Sequence, residues 1–306
     1  MLSFLIRRIL RIIPIAFCVV TILFFLFQLV PGDPALLIAG PMASPEEIAQ
    51  IRHSIGLDQP LLVQYWDRIS GLAVGDFGYS LTFKGSPLPQ VLARLPATLW
   101  LTAVSIALTI VIGIPAGVLS ALNRGRIIDN AVAVVVVGFL AIPNFCIGLL
   151  LITFLSVELG WLPSFGFEDW RSVIMPALAL AARLIALVAR MTRNVMIEEL
   201  RKDYVRTARA KGLRRNTVVV RHVLRNALIP VVTVIGLQAG YLLGGAIVIE
   251  RLFSWPGIGD LLINAVGLRD YALIQGITII FVVGFLLINL ATDLLYMAIN
   301  PRLRDA

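Results

Sequence analysis

Charge is scarce in this chain. Of its 306 residues, 14% are Asp, Glu, Lys or Arg and 59% are hydrophobic, whereas charged residues make up about a quarter of ordinary globular domains. A soluble domain is excluded, and the chain reads as an integral membrane protein. Lysine occurs three times, as Lys84, Lys202 and Lys211, and none completes the G-x-x-x-x-G-K-[ST] loop that cradles nucleotide phosphates. By that route the chain has no ATP site of its own. Its two histidines, His53 and His222, lie in no H-x-x-x-H or Cys/His spacing, so neither a metal nor another cofactor is expected. Cys18 and Cys146 both fall inside apolar runs and read as small buried hydrophobes, not as a disulfide framework. There is no G-x-S-x-G elbow, no H-E-x-x-H and no Ser/His/Asp cluster, so an enzyme is not expected.

What the chain has instead is length in apolar runs. A bilayer core of about 30 Å needs about 20 apolar residues in helix, and six stretches qualify, near 9–30, 97–122, 130–157, 172–192, 227–250 and 273–298. The first follows Arg7, Arg8 and Arg11 but is too long for a secretory leader and precedes no small-x-small cleavage site, so it reads as an uncleaved anchor. Basic residues set the orientation. With six spans, the N-terminus, the Arg124/Arg126 loop, the 193–225 loop and the Arg302/Arg304 tail share one side and hold 17 of the 26 Lys and Arg. That side is expected to be cytoplasmic, with both termini on it. The net charge of +8 is thus explained by topology, and no nucleic-acid partner is expected.

Between the first two spans, residues 31–96 carry four basic and six acidic residues. Ser44 as cap, Pro45 at the first helical position and Glu46 and Glu47 in the first turn form a helix start signal. A small structured external module is predicted there, with the turn-rich stretch 71–85 lying across the membrane surface.

Polar residues inside the spans are few. Arg183 sits midway through the fourth, with Ala179, Ala182 and Ala186 on the neighbouring turn. Three readings stay open: it faces a water-filled path and meets a substrate carboxylate, it snorkels, or it pairs with an acid of another subunit. Asp293, near the end of the last span, is expected to pair with a basic residue such as Arg302. Asn144 after Pro143, Gln238, Tyr241 and Asn289 are, with Arg183, the candidate path residues, helix bridging being the alternative.

The 193–226 loop is the largest water-loving segment, with ten basic and three acidic residues. Most of it is good helix former, broken at Gly212, and small residues at Thr207, Ala208 and Ala210 leave room for another surface to approach. A helix stopped at Gly212 and turned back by a second helix, 216–226, is predicted, forming a short rod on which a soluble partner docks.

Arg206-Thr207-Ala208-Arg209-Ala210-Lys211-Gly212, followed by Arg225-Asn226-Ala227-Leu228-Ile229-Pro230, resembles the coupling segment of ABC importer permeases of the dipeptide and oligopeptide group. The general pattern begins Glu-Ala-Ala with glycine four residues after the second alanine; Ala208 and Gly212 fit, while Arg206 and Thr207 replace the first two positions. Phe4-Leu5-Ile6-Arg7-Arg8, Pro31-Gly32-Asp33-Pro34, Gly75-Asp76-Phe77-Gly78-Tyr79-Ser80, Phe253-Ser254-Trp255-Pro256-Gly257-Ile258-Gly259, Arg269-Asp270-Tyr271 and Asn300-Pro301-Arg302-Leu303-Arg304 are similar to the first permease of these pairs, in order along the chain. Leu37-Ile38-Ala39-Gly40-Pro41 and Val157-Glu158-Leu159-Gly160-Trp161-Leu162-Pro163 look closest to permeases for glutathione and short peptides.

The resemblance implies an all-α membrane protein with the type I ABC importer permease fold. It would have an anchor span (1–30), an external module (31–96), a five-span core (97–298) holding the coupling loop, and a cytoplasmic tail (299–306). It implies an inner-membrane location, a second homologous permease, two cytoplasmic ATPases that bind the ATP, a periplasmic or lipoprotein substrate-binding protein, and surrounding lipid. Coupling would fall to Asp203, Tyr204, Arg206, Thr207, Ala208, Arg209, Ala210, Lys211 and Gly212, and contact with the binding protein to Trp255, Pro256 and Gly257. The cargo would be a di- or oligopeptide or peptide-like solute, with nickel or another small solute as the alternative. On the residues alone, a stand-alone channel or ion-coupled carrier also stays open.

Overall fold

The computed structural model describes residues 2–29, 33–40 and 42–299, with the side chains of residues 2–12, 34, 37, 38, 73, 293 and 295–299 outside that description. Pro31, Gly32, Pro41, the Asp293 side chain and the motif from Asn300 to Arg304 therefore lie outside the described residues. Those described form helices α1 (Leu2–Leu29), α2 (Pro34–Ala39), α3 (Pro45–Ser54), α4 (Leu61–Ala73), α5 (Leu88–Leu122), α6 (Ile127–Ala141), α7 (Asn144–Glu158), α8 (Ile174–Glu199), α9 (Asp203–Ala210), α10 (Arg215–Leu252), α11 (Ile258–Gly267) and α12 (Tyr271–Ile299). Among them, α5, α8, α10 and α12 are each long and apolar enough to cross a bilayer, and α6 with α7 makes a fifth span if that bent pair is one. In α1 the apolar part among the described side chains is shorter, Ile13–Leu29.

Three expectations are corrected. The third span is not straight: α6 and α7 meet at 111°. Proline disfavours helical backbone in the residue before it, and Ile142, ahead of Pro143, is extended at φ −90°, ψ 129°. Asp129 nonetheless bonds Arg193, Asn144 lies against Leu180, and Gly148 against Ala179. Both halves thus pack on α8, α6 beside Arg193 and the start of α7 beside Ala179 and Leu180. The fourth span runs on to Glu199, which shortens the loop after it. The helix predicted over 216–226 is not separate, because α10 begins at Arg215 and is continuous to Leu252.

The chain divides into two compact units. The described part of the first takes in residues up to Leu95 together with Leu261–Gly284. Here α3 starts as its sequence signals: Ser44 Oγ accepts from the Glu47 amide at 3.2 Å and Glu47 accepts from the Ser44 amide at 2.8 Å. Helix α4 packs on α1 through a Thr21–Tyr65 hydroxyl contact of 2.8 Å and the rings of Phe24, Phe25 and Tyr65. Asp270 is fully buried and accepts from Ser80 Oγ (2.6 Å), the Thr82 amide (2.9 Å) and the Leu273 amide (3.1 Å). Its carboxylate both caps α12 and ties Ser80, at the end of the Gly75–Ser80 motif, to Asp270 of the Arg269–Tyr271 motif.

The second unit is Pro96–Asp260 with the described residues from Phe285 onward. Helix α8 is its axis, with 15 of its 26 residues buried, seven of them alanine or threonine. Small side chains let helices approach closely where lipid offers no hydrophobic drive between them. On α5, Gly113 and Gly117 form a small-xxx-small pair against α8; a methyl on Gly117 would stand 2.5 Å from the Ala189 carbonyl oxygen and 2.6 Å from Thr192 Cβ. A widened π turn, Thr109–Gly113, precedes Pro115 in the same helix, where the ring removes a donor and crowds the turn before it.

At the far end of these helices Asp129, 4% exposed, accepts from Ser120 Oγ (2.5 Å), the Gly125 amide (2.8 Å), and Arg193 Nε and Nη2 (2.6 and 2.8 Å). Every lone-pair direction of the carboxylate is used, and α5, α6 and α8 are fixed to one another by it. Removing one partner of a fully buried pair costs about 3–5 kcal/mol and replacing both by apolar groups far less; Arg193, with its side chain 31% exposed, keeps part of its hydration, which puts this pair at or below the low end of that range. Asp129→Ala should therefore lower the thermal midpoint of the detergent-solubilised protein strongly, and Asp129→Leu combined with Arg193→Met should regain more than half of that loss. A double variant no better than the single one would mean that the charges themselves are needed.

Candidate functional site

All five candidate path residues meet. Asn144, Arg183, Gln238, Tyr241 and Asn289 line one cavity of about 810 Å³ in the second unit, its apolar wall made by Leu184, Leu187, Leu237, Leu242 and Phe285. Each element delivers its residue for a local reason. The break at Ile142-Pro143 places Asn144 at the first position of α7, where its amide reaches the Leu180 carbonyl at 3.3 Å. Gln238 and Tyr241 are one turn apart on α10. Tyr241 is 69% exposed and meets the Phe285 ring edge-on at 5.9 Å. Gly240 lets α12 close in, since a methyl there would run into Phe285. The result is an open polar recess with one guanidinium, two carboxamides, another amide on α12 and a phenol in an apolar surround. It offers hydrogen bonds and a positive charge to a polar solute and no group arranged for bond chemistry.

A second site is built on α9. Lys202 ahead of it is extended at φ −71°, ψ 152°, and the helix ends at Lys211 and Gly212, the latter at φ +78°, a left-handed conformation that favours glycine. The Leu213 amide returns to the Ala208 carbonyl at 3.3 Å and the Gly212 amide to that of Arg209 at 2.9 Å. The expected glycine stop is thus present in its geometry. Val205 and Ala208 are buried against Ala121, Met196, Val218 and Val223, while Asp203, Arg206, Thr207, Arg209, Ala210, Lys211 and Gly212 are exposed. For Ala208 the expectation is corrected: its smallness seats α9 on its own chain and is not available to another surface. Among the described residues Arg206 forms one ion pair, with Asp203 at 4.0 Å, and both are open to water.

Sequence reasoning missed the anchor of α9. Glu199, 7% exposed, accepts from Tyr204 Oη at 2.7 Å and pairs with Lys202. Asn226 bonds the same phenol. Tyr204 thus bridges the end of α8 and Asn226, which lies within α10 just past its Val218–Leu224 π turn. Burial pushes its phenol above the usual range, with the Glu199 carboxylate adding to this and Asn226 opposing it. Hydrogen bonding to Glu199 raises the Lys202 ammonium. The signal available in the sequence was an acid followed by Lys and Tyr at three and five residues.

The turn holding Trp255, Pro256 and Gly257 also differs from expectation. Trp255 is fully buried, its indole N–H donating to the Ala97 carbonyl at 3.0 Å and its ring edge-on to Phe167 at 4.6 Å. Gly257 is buried against the Glu250 carboxylate; of the three, only Pro256 is exposed. Glu250 is itself fully buried and accepts from Thr98 Oγ1 (2.6 Å) and the Gly259 and Asp260 amides (2.7 and 3.2 Å), so it caps α11. The indole therefore supports the turn from inside.

These features have counterparts in known proteins. The family described as Binding-protein-dependent transport system inner membrane component matches residues 113–305, and Binding-prot-dependent transport system membrane comp, N-term, matches residues 1–102. The glutathione transport system permease protein GsiC of Escherichia coli (strain K12) is 46% identical over 304 residues, 99% of each chain. That of Shigella flexneri serotype 5b (strain 8401) is 45% identical over the same length and shares. Among solved structures, the inward-facing MetNI methionine ABC transporter is similar at 25% identity and a TM-score of 0.57, over 69% of this chain and 96% of that one. An amino acid ABC transporter with histidines shares the fold at 16% identity and a TM-score of 0.55, over 69% and 94%. With the helical core and its polar recess, these likenesses establish that the chain belongs to the binding-protein-dependent transport system inner membrane components and is a permease subunit of an ABC importer.

Proposed function

We propose that this permease carries di- or oligopeptides or peptide-like solutes, glutathione among them, through a path to which its polar recess contributes half. A second homologous permease would supply the other half, two cytoplasmic ATPases the ATP site, and an external binding protein the cargo. The observation that carries the reading is the convergence of Asn144, Arg183, Gln238, Tyr241 and Asn289 on one cavity. Polar groups at membrane depth are costly and are kept where they face water or one another. The likeness to the glutathione permeases supports the cargo class. It also disfavours a stand-alone channel or ion-coupled carrier.

In this reading both termini and α9 are cytoplasmic, and the exposed face of Asp203, Arg206, Thr207, Arg209 and Ala210 meets the ATPase. Closure of the ATPases on nucleotide displaces α9 as a rigid body. Tyr204, bonded to Glu199 and Asn226, passes that displacement to α8 and α10, which also hold Arg183, Gln238 and Tyr241. A site for a moving partner and a site for the solute are thereby two ends of the same helices. At the outer side, contact with the binding protein falls to Pro256 and its exposed neighbours, with Trp255 behind them.

Gly212→Val should uncouple the reconstituted importer, because a β-branched residue at φ +78° costs about 1–3 kcal/mol and reshapes the end of α9. ATP hydrolysis should persist while uptake falls several-fold, and normal uptake would remove the coupling role. Tyr204→Phe should lower the ratio of peptide imported to ATP hydrolysed without loss of assembly, read in the same proteoliposomes. Arg183→Met should reduce import of peptides with a free carboxylate about tenfold more than import of their amides, a charged hydrogen bond being lost. Equal loss for both would assign Arg183 to packing.

A further inference from the structure

Helix α8 exposes few side chains, and all of them are polar. Its exposed residues are Arg183, Arg190, Asn194 and Glu198; the rest are buried or half-buried. Steps of seven, four and four put them on one face. Neighbouring helices show the opposite pattern, with Val134, Val135 and Val137 exposed on α6 and Ile110, Val111 and Ile112 on α5. A guanidinium turned to hydrocarbon costs at least about 2.5 kcal/mol, so this face of α8 looks at water or at an anion.

The arginines of α8 differ in their partners. Arg193 is held by both oxygens of Asp129. Among the described residues, Arg183 and Arg190 have no hydrogen bond or ion pair. Each lines a cavity: Arg183 the recess described above, Arg190 a separate one of about 440 Å³ with Asn194, Val136 and Leu140. Seven residues of helix separate them by about 10 Å, two turns along one face.

We propose that Arg190 is a second anion-binding station, inward of Arg183, and that the pair makes this permease selective for solutes bearing a carboxylate. The planar fork of each guanidinium accepts a carboxylate through two hydrogen bonds, and Asn194 adds a neutral donor beside the second station. Two stations of equal chemistry let the anion pass from one to the other without being stranded in the apolar stretch around Leu187. This rests on the reading of the recess as part of the path, which is tested separately below.

The test uses the complete importer with its binding protein in liposomes of zwitterionic phospholipid, loaded with a tripeptide either as the free acid or as the C-terminal amide. Arg190→Gln should lower the acid-to-amide uptake ratio about tenfold, and Arg190→Lys, which keeps the charge, should retain most of it. An unchanged ratio, or an effect seen only when anionic lipid is added, overturns the proposal, the latter because the cavity would then hold a lipid headgroup. In a Cys18→Ser, Cys146→Ser background, Arg190→Cys should react with a water-soluble thiol reagent, and the free-acid peptide should slow that reaction. No reaction in the assembled importer also overturns it. Gln238→Trp, which fills the first recess, should block both peptides; normal import of both would remove the path reading itself. Blocking by that variant together with an unchanged ratio for Arg190→Gln would remove the second station alone.

Discussion

The buried carboxylate of Asp129 is the fixed point of the second unit. It receives four hydrogen bonds from α5, the turn after it and α8, and no water is needed to complete its shell. In a medium that offers no hydrogen bonds, helix positions cannot be set by hydrophobic contrast, because lipid and leucine are alike. Position then has to come from close packing of small residues and from polar groups with one satisfactory arrangement. Gly113 and Gly117 provide the first and Asp129 the second. Arg193 lines the same cavity as Arg190, but its charge is spent on Asp129, so among the described residues Arg183 and Arg190 are the guanidiniums of α8 without an ion pair.

Two further buried acids repeat this logic. Glu250 caps α11 and receives Thr98, which ties the end of α10 to the start of the second unit. Glu199 receives Tyr204 and Lys202, which ties α9 to the end of α8. The difference is exposure. Glu250 is sealed beneath Gly257 and beside Trp255, whereas the Lys202 partner of Glu199 is half in water. The C-terminal end of α10 is thus locked and the end of α8 is anchored through a contact that water can loosen, which suits the joint that the proposed coupling requires there.

Much of this was legible in the sequence, and the misses have physical causes. Polar residues in long apolar runs carry a strong signal because their burial is costly, so Asn144, Arg183, Gln238, Tyr241 and Asn289 could be picked out without coordinates and meet in one cavity. Gly212 could be read as a helix stop because its conformation excludes most other residues. Ala208 could not be oriented: a small side chain permits close approach on either side, and only the packing against Met196 and Val223 decides which. Trp255 misleads because an indole serves equally as a surface anchor or as a core residue with one donor to place, here on the Ala97 carbonyl. Asp129 and Glu250 were passed over because a single acid near the end of a span looks like a solvated residue until its partners, at Arg193 and Thr98, are known. Proline at 143 was visible, but that it breaks the span instead of kinking it depends on the extended backbone of Ile142.

The distribution of irregular turns bears on how motion crosses this unit. Helix α8 is regular from Ile174 to Glu199, while π turns interrupt α5 at Thr109–Gly113, α7 at Ile152–Glu158 and α10 at Val218–Leu224. A π turn widens the ring and gives up the regular i to i+4 ladder, so a helix re-registers there at less cost than elsewhere. In the proposed coupling, a displacement of α9 therefore travels through α8 as movement of a rod, shifting Arg183 and Arg190 together and preserving their spacing. Through α10 it enters at Asn226, already past the Val218–Leu224 π turn, and meets Pro230, whose ring removes one backbone hydrogen bond, before it reaches Gln238 and Tyr241 at the recess. The two walls of the recess are then driven differently by one push: α8 slides as a unit, and α10 bends at Pro230 while Glu250 holds its far end. A recess bounded by one rigid and one jointed wall changes shape when its base is moved, which two equally stiff walls translating together would not do.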